Sequence, residues 1–221
     1  MTYVVSNLHG ALDKYRALLK RINFSAKDIL YVLGDTADYG EDAAALLTEM
    51  SMAENVYSVA GEHDYRALRF LSGFDKMLRD GSMPDADFAT EMAAWAADGG
   101  KETLDGFRAL DAEMREGLLD YLADLTLYEE VEAGGKAFLL VHGGIAGFDV
   151  NKALDEYEPE DFFADVARRA YFEDKTVVMG HTPTKSGKIE REMGVIYLDC
   201  GAKDGGAVAC LCLETDEEFY V

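Results

Sequence analysis

Short apolar runs punctuate the first third of the chain. Tyr3-Val4-Val5, Ile29 to Leu33 and Val56 to Val59 are built from residue types favoured in strands. Between them lie segments with apolar residues at helical spacing. The first is Ala11 to Arg21, where Leu12, Tyr15, Leu18 and Leu19 share a face. The second is about Glu41 to Met52, with Ala44, Leu47 and Met50 on a face. This βαβαβ rhythm predicts parallel strands joined by right-handed crossovers.

From about residue 71 to residue 124 the pattern changes. Ala, Met, Asp and Glu dominate, no strand-like run occurs, and Gly81-Ser82-Met83-Pro84 and Asp98-Gly99-Gly100 interrupt the segment. That composition predicts a helical cap. Strand-like runs return at Leu127 to Val131, Ala137 to Val141, Thr176 to Met179, Val195 to Asp199 and Ala207 to Leu213, with Glu218 to Val221 as an edge. Pro159 to Tyr171 reads as one helix with Phe162, Phe163 and Val166 in its stripe, and Gly205-Gly206 reads as a hairpin turn. The fold class expected is α/β. A single domain over residues 1–221, with the cap as an insertion, is the simplest organisation for this length.

The chain has four histidines, and each follows a strand-like run: His9, His63, His142 and His181. The run Ile29 to Leu33 stops at Gly34 and delivers two carboxylates, Asp35 and Asp38. Ligands of α/β proteins bind beyond the carboxyl ends of strands. If these strands share a sheet, the histidines gather around Asp35.

The formal net charge of −22 argues against nucleic acid or an anionic membrane as a partner. It also repels an anionic substrate. With 21 Lys and Arg against 43 Asp and Glu, bound metal ions are the expected source of local positive charge. Cys200, Cys210 and Cys212 are odd in number and lack zinc-site spacing. They read as small buried hydrophobes in a reducing compartment. No apolar run approaches the ~20 residues of a membrane span, and no signal segment leads the chain. The setting expected is cytoplasmic.

Asn7-Leu8-His9, Gly34-Asp35-Thr36-Ala37-Asp38-Tyr39-Gly40, Gly61-Glu62-His63-Asp64, His142-Gly143-Gly144 and Gly180-His181-Thr182 form an ordered series. The series resembles the signature of the calcineurin-like metallophosphoesterases, within them the bacterial phosphoprotein phosphatase branch. Leu198-Asp199-Cys200-Gly201-Ala202 and the cap residues Trp95, Gly99-Gly100 and Thr103 are similar to that branch as well. The resemblance implies a two-sheet β-sandwich flanked by helices, with two divalent metals at the strand ends. Manganese is the metal expected first; iron, zinc, nickel and magnesium are alternatives. Two such cations ~3.5–4 Å apart activate water for in-line attack at phosphorus. By resemblance Asn7, His9 and Asp35 hold the first metal, and Asp35, Glu62, His142 and His181 the second. His63 then matches the leaving-group acid, oriented by Asp38.

The departures are specific. Asn7 stands where the family has an aspartate, and Glu62 where it has an asparagine. The carboxylates over positions 7, 35 and 62 still number two, but one has moved from the first metal to the second. Tyr39 replaces an arginine that grips phosphate, and brings neither charge nor a bidentate fork. A second arginine of the family has no clear equivalent; Val166, Arg168 and Arg169 lie near its place. The leading expectation is a phosphomonoesterase acting on phosphoserine or phosphothreonine in proteins, or on a small phosphoester. Hydrolysis of a dinucleoside polyphosphate is the second enzyme reading. A pseudo-phosphatase that binds phosphorylated partners without turnover is the reading from another class.

Overall fold

The computed structural model describes residues 1–164 and 167–221. Two five-stranded sheets pack face to face. The first has the order β10-β9-β1-β2-β3, from Glu218–Tyr220, Ala209–Cys212, Thr2–Val5, Ile29–Leu33 and Val56–Val59. The second has the order β4-β5-β6-β8-β7, from Tyr128–Ala133, Lys136–Val141, Thr176–Met179, Val195–Tyr197 and Glu190–Glu192. β1, β2 and β3 run parallel, as the βαβαβ rhythm predicts. β5, β6 and β8 run parallel in the other sheet.

Side-chain alternation along the strands sorts the core into layers. Val4, Leu33, Leu211 and Ala209 of the first sheet meet Leu140, Val178 and Ile196 of the second. Tyr3, Val5, Leu30, Val32 and Cys210 point the other way, onto helices α1 (Leu12–Arg21) and α2 (Ala43–Ser51). Leu139, Val141, Val177 and Met179 cover the outer face of the second sheet with Phe162, Phe163 and Tyr171. All three cysteines are buried and unpaired.

The cap is helical throughout: α3 (Glu62–Asp80), α4 (Ala86–Trp95), α5 (Lys101–Ala109) and α6 (Ala112–Ala123). Its breaks fall where the sequence places them. Gly81 ends α3 in the left-handed conformation, with φ 71°, and Asp85 caps α4 through the Phe88 N–H. The kink after Trp95 contains Gly99 at φ 94°. Trp95, Phe107, Leu118 and Phe70 form the cap's own core, which also covers Ala37 and Leu47.

Two expectations fail for non-local reasons. Pro159 to Tyr171 is not one helix. A 3₁₀ turn covers Pro159–Phe163, and Ala164 then bridges Gly144. The carbonyls of Asp161, Phe162 and Ala164 accept from Ala146, Gly143 and Gly144, so they are taken from any i→i+4 ladder. Val166 lies outside the described residues. Gly205-Gly206 makes no hairpin either: β8 and β9 belong to different sheets, joined through a 3₁₀ turn at Ala202–Asp204. β9 is buried on both faces, so it fits beside β1, where helices and the opposite sheet both cover it. Among the described residues no helix is long and apolar enough to cross a membrane.

The loops after β2 and β3 touch closely. A Cβ at Gly61 would sit 2.3 Å from both the backbone N and Oδ1 of Asp35. The φ of Gly61 is −100°, which any residue adopts, so the constraint is steric. Gly61→Ala is therefore expected to destabilise by roughly 1–3 kcal/mol, as overpacking does. Urea unfolding measures it; an unchanged midpoint would show that the loops part easily.

Candidate active site

Both sheets send the carboxyl ends of their parallel strands to one edge. β1 leads to Asn7 and His9, β2 to Asp35, and β3 to the first turn of α3 with Glu62 and His63. β5 leads to His142, β6 to His181 and β8 to Asp199. Asn7, His9, Asp35, Asp38, Tyr39 and His181 all hold positive φ, between 42° and 70°. Left-handed backbone is costly for such residues, and it gathers here where loop packing imposes it.

Asp35 is the focus. Its Oδ1 accepts from the His63 backbone N–H at 3.1 Å, and its Oδ2 from Asn7 Nδ2 at 3.3 Å. His142 Nε2 stands 3.4 Å from Oδ2, and His9 Nε2 3.8 Å. Burial alone would raise the Asp35 carboxyl. The His142 imidazole, with His9 and His63, outweighs that and holds it well below the usual carboxylate range.

The imidazoles are oriented by backbone carbonyls. His142 Nδ1 lies 2.8 Å from the Leu33 carbonyl, and His9 Nδ1 lies 3.3 Å from that of Ala37. Each therefore donates through Nδ1 and turns Nε2 toward Asp35. Burial lowers His9 to about 4 despite Asp35, so its Nε2 keeps a lone pair at neutral pH. Burial also works against charge on His142, but Asp35 and the Leu33 carbonyl push it up to about 9. A cation binding there must displace a proton.

Asp35, His142 and His181 bring ligand atoms within 4.8 Å of one another. His142 Nε2 and His181 Nδ1 are 3.1 Å apart. A cation about 2.1 Å from two donors sets those donors about 3.0–3.4 Å apart. The His142–His181 and His142–Asp35 spacings, 3.1 and 3.4 Å, are of that size, and all three ligand atoms lie within 4.8 Å, so these side chains fit a divalent metal. Asn7 does not fit in the same way. Its Oδ1 accepts from the His181 backbone N–H at 2.9 Å, which fixes the amide orientation and leaves N–H groups facing Asp35. Glu62 lies on the cleft wall with its side chain 46% exposed, 3.7 Å from Arg66, apart from the three-residue cluster.

His63 Nδ1 lies 2.8 Å from Asp38 Oδ2. Trp95 Nε1 donates to the same oxygen at 2.9 Å, and Thr103 Oγ1 to Oδ1 at 2.9 Å. The fully buried Asp38 is thus locked by the cap, 57 and 65 residues away in sequence. Burial opposes charge on His63, but the Asp38 hydrogen bond prevails and raises it. Asp64 staples neighbouring loops: its carboxylate accepts from the Thr36, Ala37 and Gly61 N–H groups. Burial, with Asp35 nearby, pushes Asp64 up to about 6.

Tyr39 donates its hydroxyl to Asp98 Oδ1 at 3.2 Å, and Arg66 binds the other oxygen of Asp98 at 2.8 Å. Arg168 pairs with Glu190 and Glu192 and stacks on Tyr197; Arg169 lies over Phe148. Neither lines the cleft. Beside the metal-type cluster opens a cleft of about 200 Å³, whose walls include His9, His63, Asp199 and Lys203. Sequence reasoning passed over Lys203 and the Asp98–Arg66 pair, and no motif or spacing flagged them.

A fold of two mixed sheets, with a carboxylate and histidines converging at their strand ends, defines a metallophosphoesterase. The chain belongs to the calcineurin-like phosphoesterase family, whose model matches residues 2–211. Members of this family use divalent metals. The chain is 30% identical to a symmetrical bis(5'-nucleosyl)-tetraphosphatase of Acidovorax sp. (strain JS42) over 145 residues, 65% of this chain and 43% of that one. It is 25% identical to the enzyme of that name from Marinomonas sp. (strain MWYL1), over 99% of this chain and 95% of that one. The chain thus spans less than half the length of the Acidovorax relative it matches. Its fold is similar to that of a candidate diadenosine tetraphosphatase, with a TM-score of 0.68 at 17% identity over 100% of this chain and 92% of the other. It is also similar to a metallophosphoesterase from Sphaerobacter thermophilus, with a TM-score of 0.56 at 16% identity over 100% and 87%.

Replacing Asp38 with Asn should bring the His63 pKa down, measured by NMR titration of the metal-stripped protein. The folded pKa of His63 is raised, so its contribution to stability is full below about 6.5 and is lost as pH rises through the folded value. Asp38→Asn should accordingly destabilise more at about pH 6 than at about pH 9. Equal losses at both would mean His63 gains nothing from Asp38.

Proposed function

We propose that this chain is a metal-dependent phosphoesterase acting on small phosphoesters. The convergence of Asp35, His142 and His181 beside the His63–Asp38 pair carries this reading. Bound by those three side chains, a divalent cation supplies Lewis acidity toward a phosphoryl oxygen and lowers the pKa of water. The chain's own groups do the rest. Asp38 holds His63 Nδ1–H, which leaves Nε2 to face the cleft and hand a proton to the leaving oxygen. Trp95 and Thr103 keep Asp38 from rotating. Asn7 clamps Asp35 to the His181 backbone and braces the loops of both sheets.

Two substrate classes compete. The names of the curated relatives favour a dinucleoside polyphosphate. A phosphoserine or phosphothreonine substrate follows from the resemblance to the bacterial phosphoprotein phosphatases. The pseudo-phosphatase reading draws on Asn7, whose amide atoms both bind within the protein. The free, buried cysteines suit a cytoplasmic setting.

A panel of p-nitrophenyl phosphate, a phosphoserine peptide and diadenosine tetraphosphate, each with several divalent ions, tests the reading. Metal-dependent hydrolysis is expected, and His63→Ala should lower kcat by about 10²-fold or more. No turnover with any ion would leave the pseudo-phosphatase reading standing. Manganese is the ion expected to serve best. Elemental analysis should find about one metal per chain, with a second gained in Asn7→Asp, because a carboxylate at position 7 offers a cation beside Asp35 a charged oxygen donor. Two metals in the parent would show that the Asn7 clamp opens.

A further inference from the structure

The cleft must attract an anion in a protein of net charge −22. Asp35, Glu62, Asp199 and Asp204 all line it, which makes the problem local as well as global. Position 39, where the family carries an arginine, holds a tyrosine with its hydroxyl spent on Asp98. Arg66, the nearest arginine to that pair, is bound to Asp98 and Glu62. Lys203 is the single Lys or Arg among the residues lining the cleft.

Its placement is specific. Lys203 Nζ sits 4.5 Å from the centroid of the Tyr39 ring. An ammonium over an aromatic face is held there electrostatically without losing its charge, and Lys203 also hydrogen-bonds the Tyr39 hydroxyl. Among the described residues no carboxylate comes within 4.0 Å of it. The residue rides on the 3₁₀ turn Ala202–Asp204, bounded by Gly201 at φ 77° and Gly205 at φ 88°. That turn lies on the crossing between the two sheets, and Gly201, Lys203 and Asp204 line the cleft together with Asp35, His9, His63 and His181.

Resting on the phosphoesterase reading, we propose that Lys203 is the phosphoryl-recognition residue of this cleft, with Tyr39 as its seat. The arginine's work is thereby divided: the ring at position 39 positions, and a lysine from a distant loop supplies the charge. A lysine is a point charge with three donors and makes no planar fork. One such group in an acidic cleft serves one phosphoryl group. The substrate class that follows is a phosphomonoester or a terminal phosphate, and not the interior of a polyphosphate chain, which would bring several more negative charges past the same carboxylates.

The test uses the full chain with manganese. Orthophosphate affinity is measured by calorimetry, and p-nitrophenyl phosphate hydrolysis by initial rates. Lys203 is exposed, so its variants should fold. Lys203→Met is expected to weaken orthophosphate binding and raise KM by about ten-fold, the scale of one charged hydrogen bond, with kcat within about two-fold. Lys203→Arg should restore most of both, and Tyr39→Leu should fall between. Unchanged orthophosphate affinity and KM in Lys203→Met would overturn the assignment while leaving the phosphoesterase reading intact. A parent that binds orthophosphate through Lys203 but turns over no substrate would retain the assignment and remove that reading. A parent that binds no orthophosphate would end the assignment.

Discussion

One buried carboxylate organises this protein. Asp35 lies at the meeting point of loops from two sheets, and each loop bonds to it or to its neighbours. The His63 N–H and the Asn7 amide hold its two oxygens, and His142 and His9 face it from either side. A charge this deep is tolerated only where such partners compensate its lost hydration. The same partners are what a cation would find already arranged, so the demand of burial and the demand of chemistry are met by one set of groups.

The cost of this arrangement is visible in the backbone. Six side-chain-bearing residues of the site sit at positive φ, and Gly61 and Gly180 approach their neighbours too closely for a Cβ. Strain of this kind persists because the sandwich core beneath is densely packed and fixes the strand ends. The cap adds a second restraint. Trp95 and Thr103 reach down to Asp38, and Tyr39 N–H donates to the Gly99 carbonyl at 2.9 Å. The cap therefore takes part in aligning His63 as well as covering the sheet edge.

The departures from the family's pattern act together. Asparagine at position 7 bonds both Asp35 and the His181 N–H, and so ties the loop after β1 to the loop after β6. With tyrosine at position 39, the ring bonds Asp98 through its hydroxyl and carries Lys203 of another element over its face. Glu62, next to Arg66, adds a carboxylate to the rim and not to the cluster around Asp35. The charge balance read from residue types alone had moved a carboxylate onto the second metal. In the structure that carboxylate stands on the cleft wall, 3.7 Å from Arg66.

Much of the fold is legible in the chain. Period-two and period-3.6 patterns mark strands and helices, glycines and an aspartate mark the breaks of the cap, and all four histidines follow strand-like runs. Those signals are local, because they arise from which side chains a short segment can bury and which turns it can make. Three features are not local. β9 pairs with β1 because both its faces are covered there, the Phe162 and Ala164 carbonyls serve the loop after β5, and Asp38 is held by residues of the cap. The short strand Glu190–Glu192 carries no apolar pattern at all and forms only because β8 offers it a ladder. The orientation of one amide and the path of one lysine depend on which atoms from distant segments arrive beside them. Residue order sets what each segment can become; only closing the sandwich decides which donors, acceptors and charges meet.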